Sequence, residues 1–195
     1  ARVGLSPKHI NQVLHGIALM SPDAAIALER VLGTPASIWT RLDARWQEAR
    51  SRERAHQTLT EYTNWTDHFP LTELKKRDLL SGIEQGPALA DALLRLFRVV
   101  SPQAFDRVWL GTLQGGFRRA QQFEVDKYAT ATWLMLAERQ AEHISIEPFS
   151  TARIRRALTE LRRLTRLPVV LGFIEARRLL AKCGVKLAFI ESVGG

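Results

Sequence analysis

Lys8, His9, Asn11, Gln12 and His15 fall in one short run, Ser6-Pro7-Lys8-His9-Ile10-Asn11-Gln12-Val13-Leu14-His15-Gly16. The amides of Asn and Gln pair bidentately with the exposed edge of adenine, and an ammonium favours guanine. His9 adds a further donor. Ser6 and the free backbone N–H groups behind it suit a phosphate, because a helix N-terminus attracts anions. Pro7 removes one such donor and presets the entry geometry. The set that could contact DNA is therefore Ser6, Pro7, Lys8, His9, Asn11, Gln12 and His15. The same pattern also describes the solvated face of an ordinary helix, and the residues alone do not separate the two readings.

A second cluster is purely cationic. Arg153, Arg155, Arg156, Arg162, Arg163 and Arg166 lie on one side of the segment 151–166, opposite Ile154, Leu158, Leu161 and Leu164. This is a candidate second basic surface, for nucleic acid or for an acidic partner protein. The competing reading is a solvated amphipathic helix with buried arginine stems. The net charge of +8 is unevenly placed: residues 1–69 hold 8 Lys/Arg against 7 Asp/Glu, residues 70–149 hold 10 against 10, and residues 150–195 hold 10 against 3. A strongly basic balance points to a polyanionic partner, but the excess sits far from Asn11 and Gln12. Any claim for the first cluster rests on its motif and not on bulk charge.

Other signals are weaker. The single cysteine, Cys183, forms no internal disulfide and no cysteine-rich zinc site, and it reads as a buried, inert thiol. Glu53-x-x-His56 has the spacing of a di-iron ligand pair, but such sites need two of these motifs. The tryptophans at 39, 46, 65, 109 and 133 mostly occupy apolar helical positions, as core or interface residues. Glu124 and Asp126 show no pattern of burial that would support general acid–base work. We expect no catalytic residues, no metal and no cofactor. No apolar run reaches membrane-spanning length and no leader opens the chain, so a cytoplasmic protein without a membrane partner is the default.

The elements that position these clusters are helical. Ser6-Pro7, Ser21-Pro22 and Thr34-Pro35 are cap-and-start signals, and Gly16 and Gly33 are natural stops. Ile10, Val13 and Leu14 form one apolar face; Ala25, Leu28, Val31 and Leu32 form the next. Ile38, Trp39, Leu42, Trp46 and Ala49 continue at helical spacing, in a helix predicted to run through Arg54. A boundary falls near Asn64–Leu71. Thr72 is then predicted to cap 73–80, Gly86-Pro87 to open 88–100, and Ser101-Pro102 to start a short helix through Trp109. Gly115-Gly116 breaks the chain before a long helix over 117–143. Ser150 caps 151–166, and a further helix spans 168–183. Val185-Lys186-Leu187-Ala188-Phe189-Ile190 is the one convincing strand. The predicted organisation is a domain over 1–69, a helical middle domain over 70–167 and the start of an α/β domain over 168–195. Because Ala1–Leu5 reads as an interrupted element and one strand cannot stand alone, the chain is expected to begin inside one domain and to stop as another begins.

The run from Leu5 to Gly16 resembles the recognition helix of the lambda-repressor-like (XRE) superfamily. Ser21-Pro22-Asp23-Ala24-Ala25-Ile26-Ala27-Leu28-Glu29 and Leu32-Gly33-Thr34-Pro35-Ala36-Ser37-Ile38-Trp39 narrow this to the HigA type of antitoxin. Phe117-Arg118-Arg119, Phe123-Glu124-Val125-Asp126, Ala131-Thr132-Trp133-Leu134 and Cys183-Gly184-Val185-Lys186-Leu187 are similar to longer HigA-like regulators with a C-terminal ImmA/IrrE-like zinc-peptidase domain. The resemblance implies a mostly α fold: a partial helix-turn-helix bundle, an all-helical middle region and the first strand of a truncated C-terminal domain. It implies a repressor that binds its operator as a homodimer and neutralises a toxin by direct contact, with the peptidase reading as the alternative. The departures are specific. None of the five histidines stands in a His-Glu-x-x-His motif, and the helices expected before Ala1 are not in the sequence.

Overall fold

The computed structural model of the chain describes residues 3–111, 113 and 126–193. The described chain is mostly helical and contains no strand. It forms two compact units, Ala1–Glu61 and Tyr62–Gly195. No helix among the described residues is long and apolar enough to cross a membrane.

The first unit holds α1 (Pro7–Leu14), α2 (Pro22–Leu32) and α3 (Ala36–Glu61). Both Ser-Pro starts operate as their chemistry dictates. Ser6 Oγ accepts the His9 N–H and Ser21 Oγ accepts the Ala24 N–H, each at 3.1 Å, so a free amide of each first turn is satisfied. Gly33 ends α2 in the left-handed region and its N–H donates to the Glu29 carbonyl at 2.8 Å. Glu29 then reaches across the corner, its carboxylate accepting the Ala36 N–H at the start of α3. Trp39 Nε1 donates to the Thr34 carbonyl. The α2–α3 corner is thus closed by side chains the chain places within ten residues of each other.

The core of this unit is small. Ala24 and Ala25 are its buried apolar residues, whereas Ile10 and Val13 are half-buried and Leu14 is 76% exposed. The expected buried faces of α1 and α2 are therefore only partly covered. In this unit α2 and α3 pack on each other, whereas the eight-residue α1 has no comparable packing on either, so its apolar side is not enclosed. α3 runs to Glu61, beyond the expected Arg54. Its second half is exposed almost throughout, and Glu48–Arg52 is an i,i+4 ion pair on that solvated stretch.

The second unit begins with two short helices, α4 (Thr63–Thr66) and α5 (Leu71–Lys76), and continues through α6 (Pro87–Leu96) and α7 (Pro102–Phe105) into a π-helical turn, Asp106–Leu110. It ends with α8 (Lys127–Glu142), α9 (Thr151–Leu164) and α10 (Val169–Lys182). Its core is aromatic. Trp65, Phe69, Phe97, Phe105, Trp109 and Tyr128 contact one another with ring centroids 4.7–5.5 Å apart, mostly edge to face. Trp109 Nε1 donates to the Phe97 carbonyl at 3.1 Å, which satisfies the one polar atom that indole brings inside.

Several boundaries differ from expectation for local reasons. α5 starts at Leu71 and has no side-chain cap, because its cap position is held by Pro70, whose side chain has no acceptor; Thr72 lies inside the helix. α5 ends early because Asp78 takes a left-handed backbone, φ 57°. α6 stops at Leu96, not Val100, because Arg98 does the same at φ 55°. That turn points the Arg98 guanidinium at both oxygens of Glu142, at 2.5 and 2.9 Å. The predicted helix over 117–143 is described from Lys127, with Asp126 as its cap. Residues 114–125, including Gly115-Gly116, Phe117-Arg118-Arg119 and Phe123-Glu124-Val125, lie outside the described residues.

The expected strand 185–190 is not formed. The segment is extended and unpaired by any described strand. It lies along α8 instead: Gln140 Oε1 accepts the Phe189 N–H at 2.7 Å and the Ile190 carbonyl accepts from Trp133 Nε1 at 3.1 Å. A strand needs a neighbour, and here the nearest donors and acceptors are side chains of a helix.

The Arg98–Glu142 pair carries a pH prediction. Hydrogen bonding from Arg98 holds the Glu142 carboxyl below its ordinary range, outweighing the opposite effect of burial. A depressed folded-state value stabilises at pH above the unfolded carboxylate range and is lost as pH falls through the depressed value. Glu142→Gln is therefore expected to lower the melting temperature slightly near neutrality and to leave it unchanged at acid pH, which flattens the acid limb of the profile. Because the pair is exposed, high salt should produce the same flattening.

Candidate nucleic-acid interface

Helical geometry sorts the residues of α1 by angle. At 3.6 residues per turn, Asn11, His15, Lys8 and Gln12 share one arc, and Leu14, Ile10 and Val13 lie on the other side. Lys8, Asn11 and His15 are exposed and Gln12 is half-buried. His9 is half-buried and stands off the arc, toward Val13. Of the outer arc, only Gln12 is partly covered. Lys8 forms no ion pair among the described residues. An open groove of ≈ 680 Å³ runs along the helix flank, lined by Pro7, Lys8, Ile10, Asn11 and Leu14.

The first turn is more committed than its sequence suggests. Pro7 has no N–H, the His9 N–H is taken by Ser6 Oγ, and the Ile10 N–H by the Ser6 carbonyl. The Lys8 amide is left for an anion. Ser6 accepts at its oxygen but keeps its own hydroxyl proton, so it can still donate to a phosphate. His15 closes the helix: its N–H and its Nδ1 both meet the Asn11 carbonyl, at 3.1 and 2.8 Å. The imidazole is therefore partly engaged as a C-terminal cap, while the side-chain amide of Asn11 remains outward.

The end of α1 is held by residues the sequence did not single out for this role. Gly16 has φ +66°, and a Cβ there would lie 1.7 Å from Trp46 Cη2. Arg50 stacks over the Trp46 ring at 5.2 Å and donates to the Gly16 carbonyl at 3.0 Å. Trp46 and Arg50 are i,i+4 partners on α3, which is visible in the sequence; their reach across 34 residues is not. Gly16→Ala is expected to cost about 1–2 kcal/mol from the left-handed backbone alone, and more because the indole must move. Urea unfolding followed by circular dichroism checks the first effect.

The arginine cluster is placed on α9, except Arg166, which lies in the turn after it. Arg155, Arg156, Arg162, Arg163 and Arg166 are exposed. Arg153 is not available in the same way: it is half-buried, pairs with Glu147 at 3.6 Å and donates to the Pro148 carbonyl. Ser150 Oγ caps the helix at the Arg153 N–H.

The weaker candidates do not assemble into a site. Glu53 and His56 are both exposed on α3, and no group of three or more His, Cys, Asp or Glu able to hold a metal occurs among the described residues. Cys183 is buried. Trp65 and Trp109 are core residues, and Trp133 is engaged by the Ile190 carbonyl. Comparison of the chain with protein-family models, with curated proteins and with solved structures gives no match.

Proposed function

We propose that the chain is a sequence-specific DNA-binding repressor of the antitoxin type, with α1 as the recognition helix of a lambda-repressor-like helix-turn-helix. The observation that carries this reading is the outer arc of α1, where Lys8, Asn11 and His15 are exposed and Gln12, half-buried, stands at the edge. In this reading α1 enters the major groove. Asn11 and Gln12 pair with adenine edges, Lys8 with guanine, and Ser6 with the Lys8 amide holds a phosphate. The resemblance of residues 5–39 to HigA antitoxins extends the proposal to autoregulation of the chain's own operon and to direct neutralisation of a toxin in the cytoplasm.

A single short helix binds weakly, so the protein acts as a homodimer on two half-sites about one helical turn apart. Footprinting of the protein on the DNA upstream of its own gene tests this. Protection of an inverted repeat is the expected result. Protection of one unpaired half-site removes the dimer, and no protection at low salt removes the repressor.

A further inference from the structure

We propose that α9 forms a second contact to double-stranded DNA, to the phosphodiester backbone and without sequence preference, in the unit that does not contain α1. This inference stands apart from the operator reading of α1.

The geometry of the hairpin fixes the surface. α9 and α10 pack on each other through Ala157, buried on α9, and Gly172, buried on α10. A Cβ at Gly172 would sit 2.7 Å from the Leu164 carbonyl oxygen, so the two helices meet closely at this point. The apolar side of α9 therefore faces α10. The arginines project from the opposite arc in two rows, Arg155–Arg162 and Arg156–Arg163, each joined by a seven-residue step of two helical turns, and Arg166 follows in the turn just past the helix end.

These cations are largely uncommitted. Among the described residues only Arg163 of the five has an acidic neighbour, Glu160 at 3.4 Å, and that pair is exposed. Arg156 Nε donates to a carbonyl of its own helix, at Ala152, which leaves its outer nitrogens free. Between residues 151 and 186 the chain carries ten Lys/Arg against two Asp/Glu. From Thr151 to Leu167 every cation is arginine and none is lysine. The planar guanidinium fork matches a phosphate with two parallel hydrogen bonds, where an ammonium offers a point charge.

The partner follows from the array. The four arginines on the helix, Arg155 to Arg163, span about 12 Å along its axis at a 1.5 Å rise per residue. The same length of duplex presents about seven phosphates over its two strands. A lipid surface is the competing polyanion, since Leu158 and Leu167 beside the array and Val169, Val170, Leu171 and Ile174 of the hairpin are exposed; the arginine-only double row, matched in length to a run of duplex phosphates, favours DNA.

The test uses the whole chain and a short fluorescent duplex of scrambled sequence, with anisotropy read across a salt series. The variant Arg155→Gln/Arg156→Gln/Arg162→Gln/Arg163→Gln/Arg166→Gln should lower the slope of log K against log salt by about 3 to 4.5, near 0.9 for each phosphate no longer neutralised. Glutamine sustains a helix nearly as well as arginine, and unchanged circular dichroism confirms folding. The matching all-lysine variant should keep the slope and bind less tightly. The five-glutamine variant should keep its preference for operator over scrambled duplex, which separates this surface from the operator contact. An unchanged slope in the glutamine variant, or wild-type protein that ignores the duplex and instead sediments with phosphatidylglycerol vesicles, overturns the proposal.

Discussion

Asn11→Ala and Gln12→Ala are each expected to weaken binding to the operator by roughly 5- to 150-fold while barely changing binding to scrambled DNA. The range corresponds to about 1–3 kcal/mol for one good bidentate base contact. Both side chains belong to the outer arc of α1, and neither side-chain amide is used to hold the fold. The loss should therefore appear as reduced preference for operator over competitor, at unchanged melting temperature. Lys8→Ala should behave differently in one respect: it removes a cation and reduces the salt slope as well. If the Asn11 and Gln12 variants bind operator and competitor as the wild type does, α1 does not read bases. The function proposed for the chain then fails, and the α9 surface is left unaffected.

The second large effect concerns stability. Phe105→Ala is expected to destabilise the second unit by about 3–5 kcal/mol, the range for truncating a buried aromatic ring. Phe105 is fully buried and meets Trp65, Phe69, Phe97 and Tyr128 within 5.5 Å. Truncation removes one member of every one of those pairs and leaves a void that its rigid ring neighbours cannot readily fill. The Phe97–Trp109 contact and the Trp109 hydrogen bond should survive. Denaturation monitored by near-ultraviolet circular dichroism reports directly on this aromatic packing. A loss below ~1 kcal/mol would mean the cluster is loosely packed and tolerates the hole.

These two effects draw on different levels of information. The polar arc of α1 could be read from spacing alone. A serine, a proline and a glycine bracket an eight-residue run whose polar residues repeat at helical intervals. The same logic located α2, α7 and α9, whose capping serines accept the amides that their position predicts. It misplaced the start of α5 because Pro70, whose side chain has no acceptor, holds the cap position in place of Thr72. The over-long α6 arose because nothing local in Arg98 announces a left-handed turn; its tie to Glu142, 44 residues away, does.

Local chemistry of this chain determined where most helices begin and which side chains stand on one arc, because caps and helical periodicity act within a few residues. Tertiary packing alone decided that Trp46 and Arg50 clasp Gly16, that Arg153 turns inward while five neighbouring arginines stay outward, and that 185–190 lies along a helix and joins no sheet. Those outcomes depend on which distant groups come within hydrogen-bonding or van der Waals reach, and no pattern confined to one segment encodes that.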